Sequence, residues 1–305
     1  MPEQLRMPSY GGQAVMEGVM MRGERVLAIA VRDPWGSIVV ETEPLPASLY
    51  SRWTKIPFLR GLVMLWDALG IGMKAMLHST NIALKGKEPA VQLEGPGAWA
   101  LIGGGALLAL GLFLALPALV AALLDHAIPS AAASNGLEGG LRLALMVGYI
   151  VAISRLPDVQ RVFAYHGAEH KAINALEAGA PLEPWAVAPY STRHVRCGTS
   201  FLLLVVVLST AVFALLGQPD WWIRIGSRLV LIPLVASLAY EALKAGARGY
   251  ERSGLVRWIM APGLALQALT TREPDIAQLE VSIAALRAVV AEEHPELLEC
   301  AELAA

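Results

Sequence analysis

Residues 98–124 read AWALIGGGALLALGLFLALPALVAALL, and this run decides the fold class. It contains no charged residue until Asp125 follows it. A helix needs roughly 20 such residues to cross a hydrocarbon core of about 30 Å. We therefore predict a membrane-spanning helix here, in which Gly103, Gly104 and Gly105 are small enough to favour close contact with another helix.

The composition of the whole chain is that of an integral membrane protein. Its 305 residues are 55% hydrophobic and 16% charged, whereas an ordinary soluble protein carries about 25% charged residues. The formal net charge of -2 gives no reason to expect nucleic-acid binding. Two cysteines, Cys197 and Cys300, are too few for a disulfide framework, and Cys300 lies in an acidic tail.

Three more apolar segments predict a bundle of about four transmembrane helices. The second span is expected at 143–153 after a loop at 125–141, the third at 200–216, and the fourth at 229–244 after a turn at 217–228. Residues 1–57 contain no secretory signal. Lys and Arg are concentrated before the first span, at 155–196 and after the fourth, so the positive-inside rule places both termini in the cytoplasm.

The N-terminal segment is expected to form a small cytoplasmic β element. Residues 10–23 read YGGQAVMEGVMMRG, a strand-and-turn pattern in which Glu17 either finds a salt-bridge partner or has a functional role. Two runs rich in β-branched residues, 26–32 and 37–42, flank the turn sequence Asp-Pro-Trp-Gly at 33–36. This pattern predicts a β-hairpin.

Two apolar segments are predicted to be interfacial helices. Residues 53–77 carry charges at a spacing awkward for a lipid-facing span, which favours an amphipathic helix over a re-entrant or spanning one. Residues 255–269 are broken by Pro262 and Gly263. Helical spacing of apolar residues predicts a soluble helix or two in the acidic region 273–304.

These elements predict a mainly α membrane protein with four regions. Residues 1–52 form the β-containing segment, and residues 53–96 form an interfacial helix with a polar linker at 85–94. Residues 97–250 form the four-helix region, which includes a cytoplasmic motif loop at 159–199. Residues 251–305 form the interfacial segment and the soluble C-terminal helix.

The motif loop contains YHGAEHK at 165–171, which matches the H-x-x-E-H pattern of inverted zinc proteases. On a helix, His166, Glu169 and His170 project from one face, so two imidazoles can share one metal ion beside a carboxylate. Glu177 lies seven residues beyond His170, about 10 Å along the axis. We therefore expect Glu177 to support the site or serve a second one. The alternative is a helix whose polar face only meets water or headgroups.

A second cluster, STRHVRCGTS at 191–200, comes directly before the third span. His194 and Cys197 are suitable zinc ligands, and the predicted topology brings them to the same membrane surface as the first motif. Cys197 alone could equally be a small buried residue at a helix start. Arg193 and Arg196 could instead mark an anionic ligand, such as a lipid phosphate or a carboxylate.

Glu241 lies inside the fourth predicted span. Intramembrane acids usually face the interior of a bundle. Glu241 could be a third metal ligand, because inverzincins use a distant downstream glutamate. The alternative is an ion pair with Lys244 or Arg155.

The chain resembles the bacterial domain-of-unknown-function family 1385. The resemblance rests on GGQAVMEGVMMRG at 11–23, RVFAYHGAEHK at 161–171, STRHVRCGTSFL at 191–202 and PGLALQALTTREP at 262–274. Val195 departs from the proline expected in the third block. The resemblance implies a multipass protein of the bacterial inner membrane and assigns no catalytic residue. It places six residues in the family's hallmark blocks: Glu17, His166, Glu169, His170, His194 and Cys197.

The first functional hypothesis is a metal-dependent hydrolase at the cytoplasmic membrane surface, with a divalent ion such as zinc. His166 and His170 would bind the ion, and His194, Cys197 or Glu241 would complete the ligand set. Glu169 would activate a water for attack on a peptide or a lipid-linked substrate. The second hypothesis is a non-enzymatic transporter or membrane scaffold that binds an ion or a partner through the same polar cluster.

Overall fold

The computed structural model describes residues 10–45, 56–85, 96–128 and 130–298. Over these ranges the chain is mainly helical, with one small antiparallel sheet near its N terminus, as predicted. Apart from Lys85, the predicted linker at 85–94 lies outside the described residues. Cys300 also lies outside them.

The sheet is a meander of four strands, each hydrogen-bonded to the next along the chain. The strands are β1 (Gly11–Val15), β2 (Gly18–Arg22), β3 (Val26–Arg32) and β4 (Ile38–Pro44). The predicted hairpin is confirmed as β3–β4. In its turn, Asp33 Oδ1 accepts hydrogen bonds from the N–H groups of Trp35 (3.0 Å) and Ser37 (2.8 Å). Gly36 has a φ of 92°, which glycine adopts at no steric cost.

Ten helices and one π-helical turn follow the sheet in the described residues. In chain order they are α1 (Leu59–Ala83), α2 (Pro96–Leu110), the π-helical turn (Gly111–Ala115), α3 (Leu116–Leu124), α4 (Ala131–Ile153), α5 (Pro157–Glu177), α6 (Pro184–Val187), α7 (Gly198–Ala214), α8 (Trp221–Gly249), α9 (Gly254–Thr270) and α10 (Ile276–Glu293).

Among the residues that the structure describes, three helical segments are long and apolar enough to span a membrane: Trp99–Leu124, Ala131–Ile153 and Trp221–Gly249. The predicted third span is α7, which is apolar but has only 17 residues. The predicted close contact at Gly103, Gly104 and Gly105 is not made within the described residues, because a Cβ there would meet nothing within 4 Å.

Two predicted connections are shorter than expected. The loop at 125–141 ends at Ser130, whose Oγ accepts a hydrogen bond from the N–H of Ala133 and caps α4. The turn at 217–228 ends at Asp220, after which α8 begins. Both predictions were wrong for one reason: polar residues that face each other inside the bundle looked, in the sequence, like solvent-facing loops.

Those polar residues form a buried cluster around Glu138, which is 1% exposed. Its carboxylate accepts hydrogen bonds from Arg142 (2.8 Å) and from Arg228 (3.0 and 3.2 Å). Arg142 Nε also donates to the carbonyl oxygen of Phe113, in the π-helical turn. Arg224 completes the cluster with an ion pair to Asp125 at 3.2 Å. The cluster ties α4 and α8 together with ionic hydrogen bonds.

Helix α9 is continuous, so the predicted break at Pro262 and Gly263 was wrong. Proline removes one backbone donor, but the apolar face of α9 stays packed on α7 and α4 around Leu266. Gly263 faces Ser200, whose Oγ would lie 2.9 Å from an added Cβ, so the glycine permits this close packing.

The sheet is covered on both faces, which explains why strand β3 is buried throughout its centre. Leu27, Ile29 and Val31 face α1, whereas Ala28 and Ala30 face α5 and α10. Helix α10 contains the residues predicted at helical spacing, and all four are buried: Leu279, Ile283, Leu286 and Val290. The C-terminal helix is therefore part of the core that supports α5.

Candidate metal centre

Helix α5 presents His166, Glu169 and His170 on one face, as the spacing predicts. The imidazole rings lie 4.4 Å apart, centroid to centroid. His170 and Glu169 are buried, at 1% and 4% exposure. Helix α5 packs against β1 and α10, and His170 also contacts the loop before α7 through the carbonyl oxygen of Thr192.

Cys197 completes a three-residue cluster with the two histidines. One ligand atom from each of His166, His170 and Cys197 lies within 4.8 Å of the other two. Cys197 Sγ lies 3.3 Å from His166 Nε2. A tetrahedral zinc ion with bonds of about 2.0 Å to nitrogen and 2.3 Å to sulfur places such a pair about 3.5 Å apart. The observed spacing therefore suits one shared ion.

The first turn of α7 holds the Cys197 side chain in place. Cys197 is the N-cap residue, and its Sγ accepts a hydrogen bond from the N–H of Thr199 at 3.4 Å. The cap satisfies one of the N–H groups that have no partner inside the helix. The sulfur is therefore fixed beside His166 by the start of α7.

Backbone carbonyls fix the orientation of both imidazoles. His166 Nδ1 lies 2.9 Å from the carbonyl oxygen of Thr270, and His170 Nδ1 lies 2.7 Å from that of Thr192. A carbonyl oxygen only accepts hydrogen bonds, so each Nδ1 is the donor in its pair. Each ring then directs its Nε2 into the site, which is how metal-binding histidines are commonly held.

The Glu169 carboxylate faces the same point as the two Nε2 atoms and accepts no hydrogen bond from a described residue. Its Oε2 lies 3.9 Å from Nε2 of both His166 and His170, too far for hydrogen bonds. No residue that the structure describes donates a hydrogen bond to this carboxylate. A buried carboxylate that faces two nitrogen lone pairs is unfavourable unless a cation or a proton lies between them.

The cluster lines a cavity of about 90 Å³, together with Tyr10, Gly11 and Gly12 from the start of β1. This is enough space for an ion and a few water molecules. Gly12 lies so close to Glu169 that an added Cβ would be 2.7 Å from its Cγ. The glycine at position 12 therefore leaves the space that the carboxylate occupies.

His194 lies beside the cluster and turns away from it. Its ring centroid is 5.8 Å from that of His170, and its Nε2 lies 3.5 Å from Glu177 Oε2. Gln267 fixes its backbone, because the amide both donates to the His194 carbonyl and accepts from the His194 N–H, each at 2.9 Å. The described geometry thus brings together His166, His170 and Cys197, with Glu169 adjacent, and leaves His194 at the rim.

Glu177 holds the rim residues in place. It accepts hydrogen bonds from His194 and from Arg196 Nη2. Burial alone would raise the pKa of Glu177, but the hydrogen bonds from His194 and Arg196 outweigh it and keep this pKa below its usual range. The prediction that Glu177 is too distant to bind a metal with both histidines agrees with this placement.

Two other predicted residues form ion pairs away from the cluster. Glu17 accepts two hydrogen bonds from Arg161, which joins the β1–β2 turn to α5. Burial, followed by the charge of Glu17, raises the pKa of the neighbouring Tyr165. Glu241 pairs with Arg60 of α1, with Arg60 Nε 2.6 Å from Glu241 Oε1. Its partner in the described structure is therefore Arg60 and not the predicted Lys244 or Arg155, and the group of His166, His170 and Cys197 does not include it.

Sequence reasoning missed the residues that orient the histidines. The carbonyl oxygens of Thr192 and Thr270 belong to the main chain, so no side-chain pattern marks them. Gly12 and Gln267 lie inside the first and fourth of the sequence blocks that carry the family resemblance. Their presence in these blocks was the available signal, but without the fold nothing connected them to the histidines.

Comparisons with known proteins agree with the resemblance. Residues 56–292 match the family model described as protein of unknown function DUF1385. The chain is also similar to the uncharacterized protein YqhQ of Bacillus subtilis (strain 168), with 34% identity over 292 residues that cover 90% of each chain. No solved structure matches the chain.

Proposed function

We propose that this chain, which belongs to the DUF1385 family of proteins of unknown function, is a metal-dependent hydrolase. His166, His170 and Cys197 would hold one divalent ion, for which the mixed nitrogen and sulfur ligands favour zinc. The ligand set has three members and therefore leaves a fourth position for water or substrate, as catalytic zinc sites do.

The observation that carries the proposal is the arrangement of lone pairs around one point. Two imidazole Nε2 atoms and one Sγ converge there, and the Glu169 carboxylate lies 3.9 Å from both nitrogens. The hydrogen bonds at Nδ1 hold each imidazole with its Nε2 towards this point. A cation satisfies all four groups at once.

Each residue then has a distinct part in hydrolysis. A bound divalent ion would supply Lewis acidity, which lowers the pKa of a coordinated water. Glu169 would accept the proton that the attacking water loses and pass it to the leaving group. His194, paired with Glu177, would remain at the rim, where a substrate enters.

The site would lie at the cytoplasmic surface of the bacterial inner membrane. Support comes from the positively charged segments before the first span, at 155–196 and after the fourth. In that setting the substrate reaches the site from the bilayer or from its surface, which favours a membrane peptide or a lipid-linked molecule.

A second candidate function uses the same residues without a metal. Cys197 Sγ and His166 Nε2 are 3.3 Å apart, a distance that also suits a thiol and its base. The carbonyl oxygen of Thr270 orients the imidazole, and the N–H of Thr199 donates a hydrogen bond to Cys197 Sγ. Cys197 would then attack a substrate carbonyl while His166 takes the thiol proton and returns it to the leaving group, and water would hydrolyse the resulting thioester.

Transport through the bundle receives less support. Glu241 is paired with Arg60, and the Glu138 cluster meets α8 at Arg228. Glu241 lies thirteen positions after Arg228, which separates these two centres by about 20 Å along α8. Among the described residues, no hydrogen bond or ion pair links the Glu241–Arg60 pair to the Glu138 cluster.

Metal analysis of the purified full-length protein tests the proposal. After dialysis against limiting zinc, we expect about one ion per chain in the wild type and in His126→Ala, whose histidine is exposed in the loop after α3. We expect His166→Ala and His170→Ala to lose at least about tenfold in zinc affinity, because each removes a ligand.

Other results of these measurements would contradict the metal site or favour the thiol nucleophile. No zinc in the wild type, or equal zinc in all four proteins, would exclude this metal site. Rapid alkylation of Cys197 by iodoacetamide in a metal-free Cys300→Ser protein, slowed by His166→Ala, would favour the thiol nucleophile instead. In both cases an unchanged unfolding temperature shows that the variant is folded.

A further inference from the structure

A larger cleft adjoins the metal cavity and has no role in the hydrolysis described above. Its volume is about 440 Å³, and it shares His194 and Arg196 with the smaller cavity as lining residues. A molecule that fills this cleft would therefore extend directly towards His166, His170 and Cys197.

The cleft contains two arginines without a counter-ion. Arg196 is neutralised by Glu177. Arg193 and Arg248 also line the cleft, and within the described part of the chain no carboxylate forms an ion pair with either of them. Glu251 also lines the cleft, and it is exposed, as Arg193 and Arg248 are. Three arginines and two glutamates therefore line the cleft, which leaves it a net positive charge.

The arrangement of the positively charged side chains in the cleft favours a phosphate ligand over a carboxylate ligand. Arg193 belongs to the loop before α7, and Arg248 comes from the end of α8, so the two cations approach from different walls. A planar carboxylate is satisfied by one bidentate guanidinium, whereas a tetrahedral phosphate can present oxygens to two arginines at once. The hydroxyl of Tyr250 adds a third possible donor at the same wall.

The position of the cleft adds a constraint on its ligand. It is bounded by residues 247–251, where one of the three long apolar helices ends. A ligand in the cleft therefore lies at the end of that helix, at the depth of lipid headgroups if the helix spans a bilayer.

We infer that this cleft binds a phosphate ester, which is the anionic part of the substrate whose bond the metal site hydrolyses. The part of this inference that concerns the reaction rests on the proposed function, whereas the part that concerns phosphate binding does not. Arg193 and Arg248 would hold the phosphate, and the scissile bond would lie towards His194 and the metal cavity. The phosphate could belong to a lipid headgroup or to a soluble ester.

Binding measurements on the full chain in a maltoside detergent, which contains no phosphate, test this inference. The probes are inorganic phosphate and dihexanoyl phosphatidic acid, titrated by calorimetry, with dihexanoylglycerol as the uncharged control. We expect saturable binding of both phosphate probes. The double variant Arg193→Gln, Arg248→Gln should bind them at least about tenfold more weakly, because two charge-assisted contacts are lost.

Arg257→Gln is the matched control, since Arg257 is exposed on α9 and does not line the cleft. It should leave the affinity within about twofold. Much tighter binding of the lipid than of inorganic phosphate would identify a lipid-linked source, and equal binding would identify the phosphate alone as the determinant. Absent binding, or equal affinity in the wild type and the double variant, would overturn the inference.

The same titration with His166→Ala separates the two proposals. Metal-deficient protein should still bind phosphate through Arg193 and Arg248. Phosphate binding without zinc binding would support the cleft and refute the metal site. Zinc binding without phosphate binding would support the metal site and refute the phosphate cleft.

Discussion

Gly12 limits how the Glu169 carboxylate can sit in the metal cavity. An added Cβ at this position would lie 2.7 Å from Glu169 Cγ and 2.9 Å from the carbonyl oxygen of Met20. The neighbouring Gly11 has nothing within 4 Å of such a Cβ. Both adjacent glycines line the cavity, but only an added Cβ at Gly12 would meet the Glu169 side chain.

This contrast predicts different effects of the same substitution. Gly12→Ala should displace Glu169 and weaken zinc binding by about tenfold, the lower limit reported for changes around metal ligands. Gly11→Ala should leave zinc affinity unchanged. Both affinities can be measured by competition with a chromophoric chelator. Equal affinities in the two variants would show that Glu169 does not contribute to the site.

For single side chains, sequence spacing predicted part of the site. His166, Glu169 and His170 follow from helical periodicity, because one face of a helix repeats every three to four residues. Cys197 was predicted from its chemistry and position. The orientation of His194 towards Glu177 could not be predicted, since it depends on the path of a loop and on a bond from Gln267, 73 residues later.

Helices α4 and α7 are tightly packed at Gly139. A Cβ there would lie 2.3 Å from Thr210 Oγ1 and 2.9 Å from Thr210 Cβ. The next residue, Gly140, faces open space, with nothing within 4 Å of an added Cβ. Small residues at a helix contact let two backbones approach, as is typical of helices packed in membranes.

Gly139→Ala should therefore destabilise the protein by about 1–3 kcal/mol through overpacking. Gly140→Ala should be neutral or should stabilise it by up to about 1 kcal/mol, because alanine has the higher helix propensity. Thermal unfolding in detergent distinguishes them. A Gly139→Ala variant as stable as Gly140→Ala would contradict the close approach of α4 and α7.

At the level of helices, apolar runs in the sequence predicted where helices lie, whereas buried polar residues led to wrong helix boundaries. The first span was predicted within a few residues, whereas α4 and α8 begin earlier than the sequence indicated. Arg224 and Arg228 are fully buried, yet in the sequence they read as the end of a loop. Their partner Glu138 lies about 90 residues away, and a local window cannot detect such a pairing.

For the molecule as a whole, the stability of the helical bundle depends on Glu138, the carboxylate that its buried arginines contact. It hydrogen-bonds to Arg142 and Arg228, and Arg224 lies 3.9 Å from it. Glu138→Gln would leave three buried guanidinium groups with Asp125 as the remaining acid of the cluster.

We expect Glu138→Gln to lower the free energy of unfolding by about 3–5 kcal/mol, the usual cost of an unpaired buried charge. Glu280→Gln is the control, because its ion pair with Arg32 is half exposed and should contribute less than about 1 kcal/mol. Denaturant unfolding in detergent measures both. A similar small loss in the two variants would mean that the cluster is hydrated.

The packing of α10 on the sheet also bears on how often the chain would cross a bilayer. Helices α10 and α5 are in contact with each other and with the sheet. If the long apolar segments span a membrane, these elements lie on one side of it. The chain would then cross an even number of times between the sheet and α5, and again between α5 and α10. Within the described residues, the first interval contains two long apolar segments, Trp99–Leu124 and Ala131–Ile153, and the second contains only Trp221–Gly249. An even count in the second interval would need one more crossing, which the uncharged α7, at 17 residues, is just long enough to provide.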